Sequence, residues 1–383
     1  MIAKKLLFTP GPLTTSDSVK EAMLIDLGSR DAEFLAVVRR IREKLLDLGA
    51  CPRSEYECVL LQGSGTYAIE SVISSAIPRD GKLLVLVNGA YGRRIAQIAR
   101  IHAIPVEVGE VAEDRKITPA LAAERLAGAS GITHVAVVHC ETTTGIINPI
   151  EEIGRVAARA GAAYIVDAMS SFGGIPLDVS AAYVDFLISS ANKCIEGIPG
   201  FGFVLARRGA LEAAKGNART LTLDLHAQWA GLERDGQFRF TPPTHVLLAF
   251  SQALTELDDE GGVAARGERY RQNQLILCRG MRELGFETYL ADEDQSCIIT
   301  TFRYPTHPAF QFEKFYARLS ELGFVIYPGK LTREPCFRIG TIGRIHAVDI
   351  ERLLEAIELV LSEMGVQLAY DKSSSQRRIV SRC

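Results

Sequence analysis

The strongest constraint on the fold is a regular alternation of short apolar runs with longer amphipathic segments between residues 58 and 167. The predicted strands in this region are CVLLQ, KLLVLVN, IPVEV, THVAVVH and AAYIVD. Each intervening segment is long enough for a helix, which is the connection that parallel strands need. Because such crossovers are right-handed, the alternation predicts an α/β fold, a mostly parallel sheet with helices on both faces.

The pattern changes in the second half of the chain, which has 383 residues, a length typical of about two or three domains. Two long helical stretches are interrupted at Gly261 and Gly262, and the strands and helices that follow are typical of a smaller α+β domain. The predicted units are 17–258 for a large α/β domain, 1–16 with 259–365 for a small α+β domain, and 366–383 for a flexible tail.

Composition and charge narrow the class of protein. Hydrophobic residues make up 47% of the chain, and the net charge of −3 lacks the basic excess typical of nucleic-acid or anionic-membrane binding. The eight cysteines show no close repeated spacing, which favours free thiols over a disulfide framework. No run of about eighteen apolar residues occurs, and Pro10 interrupts the N-terminal stretch before a signal-peptide core forms. We therefore expect a cytoplasmic protein with no nucleic-acid or membrane partner.

Two charged residues lie just after predicted buried strands. Asp167 ends the apolar run 162–166, and Lys193 follows the run 186–188 among small and polar residues. The carboxyl ends of parallel strands are where α/β sheets bind ligands. An Asp/Lys pair suits pyridoxal phosphate, because the lysine can carry the cofactor as a Schiff base while the aspartate keeps the pyridine nitrogen protonated. The alternatives are a helix cap for Asp167 and an exposed loop position for Lys193.

A glycine-rich turn at 62–66 lies between a predicted strand and a predicted helix, where backbone N–H groups suit a phosphate. The spacing of Gly63, Gly65 and Ala68 also matches a dinucleotide fingerprint, which would instead predict a nicotinamide-dependent dehydrogenase. That interpretation requires an acidic residue at the end of the next strand, where the sequence has Asn88. The turn therefore favours a simple phosphate site.

The segment His139-Cys140-Glu141 resembles half of a zinc-deaminase motif, whose other half is P-C-x-x-C. Cys336 follows a proline but lacks the second cysteine, so we predict no metal site and a core or supporting role for His139. Thr142 lies next to this segment, and its hydroxyl suits either a turn cap or the phenolic oxygen of the cofactor.

Tyr91 and Arg338 complete the candidate residues. Tyr91 opens a predicted helix and could stack on the cofactor ring, the alternative being a half-buried structural tyrosine. Arg338 lies inside the apolar run 336–340, where a guanidinium is costly unless it meets an anion. Its planar fork suits a carboxylate or a phosphonate, which predicts substrate binding, and a structural salt bridge is the alternative.

Nine motifs spread over the chain are TPGPLTT, GSRD, LLQGSGTYAIE, NGAYG, HCETTTGIINP, IVDAMSSFGG, SSANKCIEGIPGFGF, FTPPTH and YPGKLT. Together they resemble the family of 2-aminoethylphosphonate:pyruvate aminotransferases, within the class V group of fold-type-I pyridoxal-phosphate enzymes. The similarity runs from about residue 5 to residue 364. Single motifs are shared with serine:pyruvate and alanine:glyoxylate aminotransferases, whereas the whole set is more specific. The resemblance implies a homodimer with active sites at the subunit boundary.

The resemblance also implies roles by position. Lys193 would be the Schiff-base lysine and Asp167 the partner of the pyridine nitrogen, while Arg338 would bind the substrate carboxylate. Tyr91 takes the ring-stacking place, where relatives often carry tryptophan, and Thr142 would contact the ring. The residues implied for the cofactor phosphate are Ser64, Gly65, Thr66 and Asn192, with Thr241 reaching it from the other subunit.

The activity implied by the resemblance is transfer of the amino group of 2-aminoethylphosphonate to pyruvate, which gives phosphonoacetaldehyde and alanine in phosphonate catabolism. The residues by themselves support an aminotransferase and do not name the donor. Two other functions stay open: a serine or alanine aminotransferase acting on glyoxylate or pyruvate, and a pyridoxal-phosphate lyase that uses the same Asp/Lys pair.

Overall fold

The computed structural model describes residues 4–331 and 334–368. The strands are β1 (Leu6–Leu7), β2 (Tyr56–Gln62), β3 (Lys82–Val87), β4 (Val106–Glu110), β5 (Ile132–Val138), β6 (Cys140–Glu141), β7 (Ile146–Ile147), β8 (Ala163–Asp167), β9 (Phe186–Ser190), β10 (Phe201–Arg207), β11 (Ile299–Arg303), β12 (Phe324–Val325), β13 (Tyr327–Pro328) and β14 (Cys336–Gly340). The helices are α1 (Asp17–Glu21), α2 (Ala32–Leu48), α3 (Gly65–Ala76), α4 (Ala90–Ile101), α5 (Pro119–Gly128), α6 (Ile150–Arg159), α7 (Arg208–Ala213), α8 (Leu225–Asp235), α9 (Thr244–Asp259), α10 (Gly262–Glu283), α11 (Phe312–Glu321) and α12 (Ala347–Glu363).

The central sheet has seven strands in the order β2-β10-β9-β8-β5-β3-β4. The pairs from β9 to β4 are parallel, and their apolar runs are continuous because helices cover both faces. The predicted mostly parallel sheet is confirmed. β10 is antiparallel to both of its neighbours, because the segment 191–200 that joins it to β9 contains no crossover helix.

Local sequence signals explain where several helices begin. The hydroxyl of Ser16 accepts a hydrogen bond from the N–H of Val19 at the start of α1, and Thr118 does the same for α5, which has Pro119 in its first turn. α12 buries Ile350, Leu353 and further residues at the helical period. Among the described residues, no helix combines the length and the apolar character needed to cross a bilayer.

Two large apolar clusters form the interior. The larger one takes residues between Val19 and Leu257 and surrounds the central sheet. The smaller one joins Phe8 to residues between Leu277 and Val366, around an antiparallel sheet in the order β11-β14-β13 and helices α10, α11 and α12. The predicted domain boundaries at 17–258 and 259–365 stay a prediction.

Both ends of the described chain pack against the smaller cluster. β1 pairs in parallel with β12, and Phe8 is fully buried. The segment 6–11, the N-terminal arm, is therefore anchored in the smaller cluster. The predicted flexible tail starts at residue 366, and its boundary stays a prediction; in the structure Val366 is buried and Leu368 packs close to Gly285. Apolar side chains at these positions gain by covering the smaller cluster. The rest of the predicted tail, 369–383, lies outside the described residues.

Candidate active site

The carboxyl ends of β8 and β9 bring Asp167 and Lys193 to the same edge of the sheet. Asp167 pairs with Ile188 in the parallel ladder, and the N–H of Ala168 donates to the carbonyl of Ile188 over 2.9 Å. Lys193 follows β9 after two residues and lies close enough for its charge to act on Asp167. The two residues predicted to form the catalytic pair are therefore neighbours, and their chemical roles stay predictions.

Lys193 is covered by the N-terminal arm. Its Nζ donates to the carbonyl of Pro10 over 2.7 Å. A Cβ on Gly11, whose φ is +121°, would lie 2.8 Å from Cδ of Lys193, so the arm approaches the lysine as closely as a glycine allows. Burial lowers the pKa of Lys193, although the nearby Tyr91 and Asp167 oppose this effect. A lowered pKa favours the neutral amine, which is the nucleophilic form.

Asp167 is buried, with 2% of its surface exposed, and its Oδ1 accepts a hydrogen bond from the N–H of Met169 over 2.9 Å. Burial raises its pKa to about 6, and the charge of Glu141 adds to the rise, while Met169 and Lys193 oppose it. Within residues 4–331 and 334–368 it forms no salt bridge. A protonated pyridine nitrogen would supply the N–H donor and positive charge that this carboxylate needs, so the site fits pyridoxal phosphate.

The start of α3 has the features of a phosphate site. Ser64 precedes the helix, and its hydroxyl makes no capping hydrogen bond. A Cβ on Gly65 would lie 2.1 Å from Sδ of Met169, which explains why this position has no side chain. The hydroxyl of Thr66 accepts a weak hydrogen bond from Arg94 over 3.4 Å. A helix N-terminus with a free hydroxyl and an arginine beside it suits a dianion.

The two other residues predicted to bind the phosphate lie in different surroundings: Asn192 is close to the N-terminal arm, and Thr241 is close to this turn. Asn192 precedes Lys193, and its carbonyl oxygen lies close to Gly11. Thr241 is exposed, and its carbonyl accepts a hydrogen bond from Nε2 of Gln62 over 3.2 Å. Thr241 thus lies beside the glycine-rich turn of its own chain, and its predicted reach into the other subunit stays a prediction.

Cations lie against the ring of Tyr91 at the start of α4. The guanidinium carbon of Arg94 is 5.0 Å from the ring centroid, and Nζ of Lys330 is 5.1 Å from it. Both distances are within the range of cation–π attraction. Stacking of Tyr91 on a cofactor ring requires a face that neither cation covers, and the stacking role stays a prediction.

The hydroxyl of Tyr91 lies among positive charges. Burial alone would raise its pKa, but a hydrogen bond with the side chain of Thr142 and the charges of Lys193, Lys330 and Arg338 lower it. The residues predicted to contact the ring and to bind substrate therefore meet at this hydroxyl. The combined positive charge makes the region suitable for an anion.

Arg338 is fully buried in β14. Its Nε and Nη2 donate to the carbonyl of Pro328 over 3.1 and 2.9 Å, and its Nη1 donates to the carbonyl of Thr142 over 2.7 Å. Its guanidinium lies 4.9 Å from the ring centroid of Tyr327. Among the described residues it has no carboxylate partner, so the alternative of a structural salt bridge is not observed. A guanidinium has five N–H groups, and Arg338 also hydrogen-bonds the side chain of Tyr91, so only the N–H groups left by these partners are available to an anion.

Glu141 is a residue of this region that the sequence analysis considered only as part of a metal motif. It is fully buried and accepts hydrogen bonds from the N–H groups of Tyr91, Gly92 and Thr143 over 3.2, 3.3 and 3.1 Å, and from the hydroxyl of Thr143. It therefore caps α4 from a neighbouring strand and fixes Tyr91. The sequence did contain a signal for this capping role: Glu141 is an acidic residue just past a predicted buried strand, at the sheet edge where helices begin.

The neighbouring His139 has a buried Nδ1 with no hydrogen-bond partner in the described part of the chain. Burial lowers its pKa to about 4, so the ring is neutral at pH 7. No group of three or more metal-binding side chains occurs among the described residues.

Two relatives are similar to this chain over almost their whole length. A 2-aminoethylphosphonate–pyruvate transaminase of Salmonella heidelberg (strain SL476) is 54% identical over 362 residues, which cover 93% of this chain and 97% of the relative. A protein of the same name from Vibrio vulnificus (strain YJ016) is 54% identical over 360 residues, covering 92% and 96%.

Solved structures share the fold at lower identity. Pyridoxamine-pyruvate aminotransferase from Mesorhizobium loti superposes with a TM-score of 0.88 at 24% identity and covers 97% of this chain and 95% of its own. An aspartate aminotransferase of subgroup IV from Thermus thermophilus gives 0.84 at 23% identity, covering 94% and 99%. The predicted fold-type-I aminotransferase architecture is confirmed by these superpositions. The family model described as "Aminotransferase class-V" matches residues 22–339. The chain belongs to the class-V aminotransferases, and its cofactor is pyridoxal phosphate.

Proposed function

We propose that this protein transfers the amino group of 2-aminoethylphosphonate to pyruvate and so forms phosphonoacetaldehyde and alanine. The observation that carries the proposal is the identity of more than half of the aligned residues with transaminases of that name. The positive region around the hydroxyl of Tyr91 supports it, because both the donor and the acceptor carry an anionic group.

We propose that the cofactor is held by the residues gathered at the sheet edge. Lys193 binds it covalently, and Asp167 holds the proton on the pyridine nitrogen. Tyr91 and Thr142 contact the ring. The phosphate is bound by Ser64, Gly65, Thr66 and Asn192, together with Thr241 of the partner subunit.

When bound, the cofactor supplies an electron sink for the carbon that carries the substrate amine. Lys193, once released from the cofactor, takes the proton from this carbon, and its lowered pKa favours the neutral base at neutral pH. Arg338 binds the substrate anion, and its three hydrogen bonds to backbone carbonyls fix the position of the guanidinium. The arm at Pro10 and Gly11 excludes water from one side of the lysine.

A homodimer with active sites at the subunit boundary is part of the proposal. Tyr67 and Phe240 are exposed apolar residues, and each adjoins a residue proposed to bind the phosphate, Thr66 and Thr241. Burial of such side chains against a second subunit would stabilise a dimer. We also propose a cytoplasmic location, supported by the free thiols of the cysteines in the described residues.

The test is an assay of the purified, pyridoxal-phosphate-loaded protein with 2-aminoethylphosphonate and pyruvate, measuring alanine and phosphonoacetaldehyde. Parallel reactions use serine or alanine with glyoxylate, and further reactions with serine or cysteine but no keto acid measure ammonia and sulfide release. We expect a kcat/KM for 2-aminoethylphosphonate well above those for serine and alanine. Faster turnover of serine or alanine, or release of ammonia or sulfide, would support the alternative aminotransferase or the lyase instead.

The covalent attachment is tested separately by borohydride reduction followed by peptide mapping. The pyridoxyl group is expected on the peptide that contains Lys193. Labelling of Lys330 instead, the other lysine beside Tyr91, would contradict the assignment.

A further inference from the structure

Lys330 is an exposed cation beside Tyr91 of the proposed site. It follows β13 by two residues, its side chain is exposed, and its Nζ lies 5.1 Å from the ring centroid of Tyr91. The carbonyl of Pro328, the last residue of β13, accepts two hydrogen bonds from Arg338. The buried arginine therefore anchors the backbone that presents Lys330 to Tyr91.

Lys330 has no carboxylate partner within residues 4–331 and 334–368. An exposed lysine gains little from being held near a ring, because fixing its side chain costs conformational entropy. The cations around Tyr91 thus differ in depth: Arg338 is fully buried and Lys193 is half-buried, while Lys330 is exposed. This arrangement offers an incoming anion two positively charged positions, one deep and one shallow.

The two substrates of the proposed reaction differ in ways that match this arrangement. A phosphonate carries between about one and two negative charges near neutral pH, by analogy with phosphate esters, whereas a carboxylate carries one. In 2-aminoethylphosphonate the anion is one bond farther from the amine-bearing carbon than the carboxylate of alanine is. Its three oxygens are tetrahedral, so the planar fork of Arg338 can engage only two of them. A compact ammonium suits the remaining oxygen.

We infer that Lys330 is a specificity-determining residue, which binds the phosphonate of the amino donor at the outer position while Arg338 serves both substrates at the inner one. The inference rests on the proposed function, and it assigns the choice of donor to one exposed lysine.

The experiment compares Lys330→Met and Lys330→Arg with the wild-type enzyme, in single-turnover half-reactions with 2-aminoethylphosphonate alone and with alanine alone. Lys314→Met, which changes an exposed lysine of α11, is the matched control. For Lys330→Met we expect the second-order rate constant with 2-aminoethylphosphonate to fall about 10- to 100-fold, the usual loss for a hydrogen bond to a charged group, and the constant with alanine to fall less than about threefold. Lys330→Arg should restore most of the loss because it keeps the charge.

A second readout avoids the reaction. Calorimetric titration with ethylphosphonate and with propionate, which have no amine, should show weaker ethylphosphonate binding in Lys330→Met and nearly unchanged propionate binding. Equal losses for both anions would mean that Lys330 only supports Tyr91, and no loss for either would place the phosphonate elsewhere; both results overturn the inference. Failure of the wild-type enzyme to use 2-aminoethylphosphonate would instead overturn the proposed function, while the titration would still judge Lys330.

Discussion

Asp167 and Glu141 are two buried carboxylates at the same edge of the central sheet, and they are surrounded very differently. Asp167 accepts one hydrogen bond, from the N–H of Met169. Glu141 accepts bonds from three backbone N–H groups and a hydroxyl. Burial raises the pKa of both. The difference is that Glu141 is saturated with partners from its own chain, whereas Asp167 still has acceptor capacity for a ligand.

This contrast separates a carboxylate that holds the fold together from one that is prepared for chemistry. A saturated buried acid contributes to stability and leaves nothing for a substrate or cofactor. An unsaturated one is costly in the free protein and gains its partner on binding. A substitution of Asp167 should therefore change mainly kcat, and a substitution of Glu141 should change mainly the free energy of unfolding.

The largest effect is expected for Asp167→Asn. A neutral amide cannot hold the pyridine nitrogen in its protonated state, and a desolvated ion pair is worth several kcal/mol, so kcat should fall about a hundredfold or more. The fold should stay intact, because an amide oxygen still accepts from Met169. Steady-state kinetics gives the measurement, and Asp178→Asn, an exposed side chain that accepts from the N–H of Ala181, is the control. A kcat close to wild type would remove the basis for the contrast.

Glu141→Gln should show the opposite pattern. The new NH₂ group would face N–H donors of either Thr143 or the start of α4, and each lost partner costs about 1–3 kcal/mol. We expect the free energy of unfolding, measured with urea, to fall by about 3–5 kcal/mol. Glu151→Gln, at an exposed position in the first turn of α6, should change it by less than about 0.5 kcal/mol. A stable Glu141→Gln enzyme with a hundredfold loss of kcat would show that Glu141 is not mainly structural.

The raised pKa of Asp167 predicts a pH dependence of the cofactor-free protein. Because the pKa is raised from 3.8 to about 6, the folded state binds the proton more tightly, and this group's contribution to stability falls as the pH rises from about 4 to about 6. Asp167→Asn lacks this loss, so above about pH 6 it should be more stable than the wild type by up to about 3 kcal/mol. Urea unfolding of both proteins at pH 4.5 and pH 7.5 gives the comparison. A constant difference between the two pH values would contradict it.

The smallest effect is expected for Thr143→Val. The hydroxyl of Thr143 donates to Glu141 and accepts from the N–H of Ala90 over 3.0 Å, so its removal weakens the cap of α4. We expect a loss of about 1–2 kcal/mol in the free energy of unfolding. Thr143→Ser keeps the hydroxyl and should lose less. A loss in Thr143→Ser as large as that in Thr143→Val would show that the methyl group, which valine keeps and serine lacks, matters as much as the hydroxyl.

The sequence predicted the sheet edge well because strand ends are marked locally. Asp167 and Lys193 each follow an apolar run, and parallel strands bring such positions together whatever the loops do. Arg338 was also marked locally, because a charged residue inside an apolar run predicts a role in binding an anion. The antiparallel β10 was less apparent, although the absence of a helical pattern in 191–200 was a usable signal.

Contacts between distant segments were not predictable in the same way. Nothing local indicates that the carbonyl of Pro10 accepts from Lys193, or that Lys330 lies over Tyr91. Glu141 became a cap only because α4 begins beside it. These contacts depend on how separate elements pack, and a single sequence carries the pattern of each element rather than the distances between them.

The pairing of β1 with β12 has a consequence for biosynthesis. The arm that covers Lys193 is synthesised before its partner strand β12, which lies far later in the chain. Until Phe324 and Val325 have been made, Leu6 and Leu7 have no strand to join, so the arm cannot close over the lysine. Capture of the cofactor in its finished pocket is therefore a step that follows translation of β12.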